Sequence, residues 1–294
     1  MKIGIIGGGS IGLLYACYLS KHHKVTLYCR RISQANEINR HLVRLKKQND
    51  EQLVPIQAKV SETLDHEELI IVCVKHYHLE SLMPILLQTD KNTILIFLQN
   101  GIGHLSEIEK LPHKHILVGV VEHGAMKEND RVVRHTGDGV TRFSIFKGTE
   151  EKIRTVKEQI STEDFPFIIE KDYWKMLKHK LLVNAVINPL TALLNIKNGQ
   201  LLTNPFYNYL FQQFYMEVAS ILQISNKEEV YQYLQTVCQN TAENESSMLR
   251  DLKLNNRMEI DGILTPLIEK AEKNNLHVPF LLAAYEALCK RNRT

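Results

Sequence analysis

Residues 1–19, MKIGIIGGGSIGLLYACYL, decide the fold class, because a short apolar strand leads through a glycine-rich turn into an apolar helix. The continuous apolar run 2–6 is typical of a strand that is buried on both faces, as in parallel sheets. Residues 11–21 have the spacing of a helix. The junction carries the pattern G-x-G-x-x-G, which in this strand-to-helix context predicts a dinucleotide-binding site.

The glycines of this pattern each have a physical task. Gly7 permits the tight turn, Gly9 lets the backbone approach a pyrophosphate without a Cβ in the way, and Gly12 lets the helix pack close to the strand. The free N–H groups at the start of the helix, at Ser10 and Ile11, then face a pair of phosphates.

The next apolar runs repeat this alternation of strand and helix. Residues 24–29, 69–74 and 93–98 predict further buried strands, with helical spacing at 79–88 and 105–110. This order predicts an α/β fold with a Rossmann-like, doubly wound parallel sheet.

The sequence changes character from residue 116 onward. Residues 116–146 alternate Val, Thr and Phe with turn signals, which predicts antiparallel strands that close the sheet, and a helix follows at about 150–160. After residue 168 only helical periodicity remains. We therefore expect a Rossmann-like nucleotide-binding domain over residues 1–168 and an all-α substrate and catalytic domain over 169–294, with a shared cleft.

The composition excludes several classes of function. The chain has 294 residues, with 36 Lys and Arg against 33 Asp and Glu, a net charge of +3. This excess is too small and too dispersed to indicate a nucleic-acid partner. The five cysteines have no C-x-x-C spacing, so neither a disulfide framework nor a metal site is expected. No apolar run approaches the roughly 20 residues that span a bilayer, and no signal peptide is recognisable, so we expect a cytoplasmic protein without membrane contact.

The end of the second strand indicates which nucleotide is bound. An NAD-selective enzyme usually has a carboxylate here, whereas this chain has Cys29-Arg30-Arg31. A guanidinium can hold a 2′-phosphate with two charge-assisted hydrogen bonds, so we expect NADPH/NADP⁺, with Arg30 as the main contact and Arg31 as a helper or a solvated neighbour. The alternative is that both are ordinary surface arginines.

Two further positions follow strands at the same edge of the sheet. Lys75 could contact a phosphate or line the cleft. Asn100, in Asn100-Gly101, could hold the nicotinamide or a substrate oxygen, although Asn-Gly is also a turn signal.

The segment 179–192, HKLLVNAVINPLTA, carries the other candidate residues. Lys180, Asn184 and Asn188 recur every four residues and form a polar stripe on an otherwise apolar helix, in which Pro189 should cause a bend. Burying such a stripe is unfavourable unless something polar faces it. Side-chain amides bonded to neighbouring helices would explain the asparagines, but they do not require a lysine at the head of the stripe.

Over essentially its whole length the sequence resembles the ketopantoate reductase (2-dehydropantoate 2-reductase) family. The resemblance rests on the glycine pattern, Asn100-Gly101, the segment 180–192, the segment 242–249 (AENESSML) and Glu259-Ile260-Asp261. The last three in this order are far more specific than the glycines. Departures lie in surface segments and around residues 76–78, where a smaller residue often follows the lysine.

The resemblance implies roles for seven of the candidate residues. It makes Lys180 the general acid and Glu259 a residue that binds substrate and positions the lysine. It places Asn100, Asn184 and Asn188 on substrate or cofactor, Ser247 on the substrate carboxylate and Arg30 on the 2′-phosphate. Without the resemblance, Glu259 would be read as an exposed helix carboxylate and Ser246-Ser247 as a helix N-cap.

Elementary chemistry agrees with these roles. Transfer of a hydride to a ketone requires the carbonyl oxygen to be polarised and then protonated, and a lysine ammonium can do both. Our hypothesis is NADPH-dependent reduction of 2-dehydropantoate to (R)-pantoate. Its rivals are a reductase of another 2-oxo acid on the same fold and a non-catalytic NADP(H) sensor. A monomer and a homodimer both remain open.

Overall fold

The computed structural model describes residues 1–292. It divides into two compact units, each with its own hydrophobic core. Unit 1 comprises residues 1–99 and 104–176, and unit 2 comprises residues 100–103 and those from 177 onward.

Unit 1 contains two sheets. The strands are β1 (Lys2–Ile6), β2 (Lys24–Cys29), β3 (Val43–Lys47), β4 (Asp50–Val54), β5 (Gln57–Val60), β6 (Leu69–Val72), β7 (Ile94–Phe97), β8 (Ile116–Val121), β9 (Gly124–Asn129), β10 (Val132–Gly137), β11 (Thr141–Lys147) and β12 (Phe167–Ile169). The main sheet has eight strands in the order β12-β11-β8-β7-β6-β1-β2-β5. All neighbours are parallel except β8 and β11, so the α/β expectation for the N-terminal half is confirmed.

The sequence pattern predicts that the strands of residues 116–146 close this sheet, but only two of the four strands do so. β8 and β11 do, whereas β9 and β10 join a separate four-stranded sheet in the order β4-β3-β10-β9. The pairing partner of β10 is β3, which lies parallel to it. β3 carries the alternation of a strand with one buried face, since Val43 and Leu45 are buried and Arg44 and Lys46 are half-exposed.

Five α-helices lie in unit 1 before β12, in addition to a short 3-10 helix at His76–His78: α1 (Ser10–Leu19), α2 (Ile32–His41), α3 (Leu79–Leu86), α4 (Leu105–Ile108) and α5 (Glu150–Ile160). α1 follows β1 directly, and eight of its residues are buried. It is therefore a core helix whose first turn lies at the carboxyl end of the central strand.

The remaining helices form the all-α part: α6 (Tyr173–Leu194), α7 (Gln200–Thr203), α8 (Pro205–Ile221), α9 (Lys227–Asn240), α10 (Ser247–Lys253), α11 (Ile260–Ile263), α12 (Thr265–Lys273) and α13 (Pro279–Arg291). α6 is 22 residues long and continues past Pro189. None of the helices within residues 1–292 is both long and apolar enough to cross a membrane.

Candidate functional site

The glycine-rich turn after β1 has a geometry that requires glycine at positions 7 and 12. Gly7 has φ +114°, and a Cβ on Gly12 would lie 1.8 Å from the carbonyl oxygen of Gly7. The position of a Cβ on Gly9 has no atom within 4 Å, so the space above this residue is open. Gly9 is the N-cap of α1, and the first turn carries no acidic side chain. The turn and the helix amides behind it fit the diphosphate of a dinucleotide.

Two cationic side chains flank this turn at the carboxyl edge of the sheet. β1 lies between β2 and β6, so Arg30 and Lys75, which follow those two strands, stand on either side of the glycine turn. The Arg30 side chain is exposed, with Nη1 3.1 Å from Nε2 of His78. Lys75 is half-buried, and its Nζ lies 5.9 Å from the ring centroid of Tyr77.

The second arginine has a different environment. Nη2 of Arg31 donates to Oδ1 of Asp130 at 2.5 Å, and Nζ of Lys127 lies 3.1 Å from the same oxygen. Burial alone would raise the pKa of the Asp130 carboxyl, but the hydrogen bonds from Lys127 and Arg31 outweigh it and lower this pKa. Arg31 is therefore tied to a carboxylate, in contrast to Arg30.

Sequence reasoning missed two side chains that contact the glycine turn. Nε2 of Gln34 donates to the carbonyl oxygen of Gly8 at 2.8 Å, and Nζ of Lys127 donates to the same oxygen at 3.0 Å. No motif marks such contacts, because their acceptor is a backbone atom and Lys127 comes from β9 of the other sheet. The only hint in the sequence is that the variable position after Gly7 is itself a glycine.

The polar stripe of α6 lies in unit 2. Asn184 and Asn188 are each 7% exposed and lie among fully buried apolar residues of the same helix. Lys180 is half-buried and stands one turn before Asn184 on the same face of the helix.

Asn100 joins this stripe to Glu259. Its Nδ2 lies 3.1 Å from Oε2 of Glu259, and its Oδ1 lies 3.4 Å from Nδ2 of Asn184. Glu259 is 7% exposed, in contrast to the exposed carboxylate that its sequence context alone suggests. Gly101 has φ +81°, and a Cβ on it would lie 1.7 Å from the carbonyl oxygen of Gly262, so only glycine fits next to Asn100 in this arrangement.

The two adjacent serines have separate tasks. Ser246 is buried and caps α10, because its Oγ accepts from the N–H of Leu249 at 3.1 Å and from Oγ1 of Thr191 at 2.7 Å. Ser247 is exposed, and its Oγ lies 3.5 Å from Nδ2 of Asn188. The capping role that the sequence left open for the pair belongs to Ser246.

The candidate residues thus fall into two groups, which lie in different units except for Asn100. The cofactor candidates in unit 1 are Gly7, Gly9, Ser10, Ile11, Gly12, Arg30 and Lys75, and the remaining cofactor candidate, Asn100, lies in unit 2, where it is also a substrate candidate. The substrate and catalytic candidates in unit 2 are Asn100, Lys180, Asn184, Asn188, Ser247 and Glu259. Within residues 1–292, no cluster of three or more His, Cys, Asp or Glu side chains could hold a metal ion.

Comparison with protein families gives matches to both halves of the chain. Residues 3–148 match the family described as ketopantoate reductase PanE/ApbA, and residues 172–292 match its C-terminal domain. A 2-dehydropantoate 2-reductase of Bacillus subtilis (strain 168) is 42% identical over 292 residues, which is 98% of this chain and 97% of the relative.

Solved structures give the same result. The crystal structure of a probable 2-dehydropantoate 2-reductase from Bacillus subtilis superposes with a TM-score of 0.88 at 39% identity and covers 99% of this chain and 100% of that one. A ternary structure of D-mandelate dehydrogenase with NADH and anilino(oxo)acetate has a TM-score of 0.92 but only 22% identity, over 100% of this chain and 98% of that one. The second likeness shows the fold alone.

Proposed function

The chain belongs to the ketopantoate reductase family, and we propose that in this member Lys180 is the general acid of the reaction, with Glu259 and the surrounding amides as its positioning and substrate-binding partners. The reaction is the NADPH-dependent reduction of 2-dehydropantoate to pantoate. The 42% identity over nearly the full length of both chains carries this assignment, whereas the roles of individual residues are our proposal.

When bound, NADPH supplies the hydride that adds to C2 of the substrate. As the C–H bond forms, the carbonyl π electrons move to oxygen, and the Nζ–H of Lys180 donates its proton there, so that no free alkoxide develops. The products are (R)-pantoate and NADP⁺, and the lysine takes a proton back from solvent.

The single observation that supports this mechanism best is the contact chain Glu259–Asn100–Asn184. It assembles a carboxylate and two amides from three distant parts of the sequence next to the turn of α6 that carries Lys180. Glu259 and Asn184 are each 7% exposed and Asn100 is half-buried, and polar groups withdrawn from water are stable only with polar partners. The two asparagine contacts at 3.4 and 3.5 Å are long, which leaves hydrogen-bonding capacity for the oxygens of a 2-oxo acid.

The substrate carboxylate is assigned to Ser247 and Asn188. The Ser247 side chain is exposed while Asn188 beside it is buried, so a hydroxyl and an amide donor are presented together. Ser246 holds the backbone of this segment in place through its cap and its bond to Thr191.

The cofactor is assigned to the glycine turn, Arg30 and Lys75. Arg30 would bind the 2′-phosphate, since it is exposed and its close neighbour is a histidine ring, whereas Arg31 is paired with Asp130. Arg31 is then a neighbour of the phosphate site and not its principal ligand.

Replacement of Lys180 tests the mechanism. We expect Lys180→Ala to lower kcat by roughly 10² to 10⁴-fold with NADPH binding retained, as for loss of a general acid. Lys178→Ala is the matched control, because Lys178 lies on the same helix and its Nζ donates to the carbonyl oxygen of Gln223 at 3.3 Å. Normal turnover of Lys180→Ala would refute the assignment.

Substrate preference, cellular location and oligomeric state are also proposals. We propose 2-dehydropantoate as the preferred substrate, which a panel of 2-oxo acids assayed with NADPH tests. The absence of NADPH oxidation with every one of these acids would favour the non-catalytic sensor.

We propose that the protein is cytoplasmic, which cell fractionation tests. We propose that it is a monomer or a homodimer, and its mass in solution distinguishes the two.

A further inference from the structure

The Gly8–Gly9 peptide is fixed by two side chains that lie outside the glycine pattern. The carbonyl oxygen of Gly8 accepts from Nε2 of Gln34 at 2.8 Å and from Nζ of Lys127 at 3.0 Å. A Cβ on Gly8 would come within 2.7 Å of the Gln34 amide, so this residue must be glycine for Gln34 to approach.

Both donors are themselves anchored by one residue. The backbone carbonyl of Asp130 accepts from Nε2 of Gln34 at 2.9 Å, and its carboxylate lies 3.1 Å from Nζ of Lys127. Asp130 stands in the turn between β9 and β10. The second sheet therefore contacts the glycine turn through a set of interlocked hydrogen bonds.

The orientation of one peptide follows from these contacts. The described chain contains no cis peptide bond, and in a trans peptide the carbonyl of one residue and the N–H of the next point in opposite directions. When the Gly8 carbonyl points at Gln34 and Lys127, the N–H of Gly9 points away from them. Without these donors the peptide between two glycines could rotate easily, and its carbonyl oxygen could then face the cofactor phosphates.

We propose that Lys127 and Gln34 are positioning residues for the cofactor, which hold the Gly8–Gly9 peptide so that the N–H of Gly9 is presented to the diphosphate of NADPH. The ammonium of Lys127 also polarises this peptide, which strengthens the Gly9 N–H as a donor to an anion. The proposal rests on the assignment of the cofactor to the glycine turn.

The effect of a substitution on the affinities for NADPH and for NADH distinguishes a positioning role from direct contact with the 2′-phosphate. The diphosphate is common to NADPH and NADH, whereas the 2′-phosphate belongs to NADPH alone. A residue that acts through the Gly9 N–H changes both affinities by the same factor. A lysine that attracts the 2′-phosphate directly changes only that of NADPH.

The test is titration of the purified full-length chain with NADPH and with NADH, in the absence of substrate. We expect Lys127→Met to raise the Kd for NADPH and the Kd for NADH by about tenfold each, with the ratio of the two Kd values unchanged within twofold. Lys127→Arg, which keeps a cationic donor, should stay within about threefold of the wild type. Lys46→Met is the matched control, because Lys46 lies on β3 of the same sheet and pairs with Glu128 at 2.8 Å.

An uncharged variant separates positioning from simple attraction between charges. Gln34→Met removes the other donor to the Gly8 carbonyl oxygen without any change in charge. We expect it to weaken the binding of both cofactors by about fivefold. In protein labelled with ¹⁵N-glycine, the shift of the Gly9 amide on NADP⁺ binding should be smaller in both variants. Thermal unfolding of each variant shows that it is folded.

Two outcomes would overturn the proposal. One is a loss of NADPH affinity without a loss of NADH affinity in Lys127→Met, and the other is wild-type affinity for both cofactors in Gln34→Met. Failure of the wild type to bind NADPH would instead refute the assignment of the cofactor to the glycine turn. A normal kcat of Lys180→Ala would leave the present proposal intact.

Discussion

Asn100 donates to Oε2 of Glu259 at 3.1 Å, although 159 residues separate the two in the chain. The other end of the Asn100 amide lies 3.4 Å from Nδ2 of Asn184. One amide therefore satisfies a carboxylate with its donor and an asparagine with its acceptor. A side chain that offers only acceptors would not fit both neighbours.

Substitution of Asn100 tests the importance of its contact with Glu259. Asn100→Asp keeps the shape but sets a second carboxylate about 3 Å from Glu259, where like charges raise one pKa of the pair. We expect kcat/KM for 2-dehydropantoate to fall about 100-fold at pH 8, against about tenfold for Asn100→Ala. The Asp variant should recover partly at pH 6, because protonation of the pair restores a donor. An equal deficit for both variants at both pH values would argue against the contact.

The two serines at the start of α10 should have separable effects. Ser246→Ala removes the N-cap and the partner of Thr191, so we expect a loss of about 1 to 2 kcal/mol in the free energy of unfolding with little change in KM. Ser247→Ala should leave stability unchanged and raise KM for 2-dehydropantoate by about tenfold. Denaturant unfolding and steady-state kinetics on the pair check this. The reverse pattern would move the substrate carboxylate away from Ser247.

Substitutions of the neighbouring residues Arg30 and Arg31 should differ in their effect on the KM for NADPH. We expect Arg30→Ala to raise KM for NADPH by at least about tenfold and leave KM for NADH nearly unchanged, since only one cofactor has the charge that Arg30 would bind. Arg31→Ala should have a smaller effect, because its guanidinium is held by Asp130 at 2.5 Å. Equal efficiency of the wild type with both cofactors would refute NADP selectivity.

Local pattern predicts the central strands well and their partners poorly. The apolar runs predict β1 (Lys2–Ile6) and β2 (Lys24–Cys29) at the bounds that the structure gives, because strands buried on both faces are continuously apolar. The alternation in Val43–Lys47 is also visible in the sequence, but nothing local indicates that β3 pairs with β10. Pairing across some 90 residues depends on tertiary packing.

The candidate site shows the same division. The stripe of Lys180, Asn184 and Asn188 follows from helical spacing alone. The contacts of Gln34 and Lys127 with Gly8 could not be predicted, because a backbone acceptor leaves no sequence signature.

Acid sensitivity should depend on a histidine of unit 1. His104 is fully buried, and burial first, then the nearby His76, lowers its pKa to about 3. The unfolded chain binds a proton at this side chain below its ordinary pKa of about 6.5, while the folded chain stays neutral there. Stability is therefore lost as the pH falls from about 6.5 toward 3. Between pH 7 and pH 5 this single group accounts for a loss of about 2 kcal/mol in the free energy of unfolding, since each pH unit below 6.5 contributes about 1.4 kcal/mol.

His104→Leu should remove that part of the loss, whereas replacement of the exposed His22 by Gln should not. Urea unfolding of the three proteins at pH 7, 6 and 5 measures this contribution, and parallel pH profiles for wild type and His104→Leu would show that His104 does not contribute to the acid sensitivity.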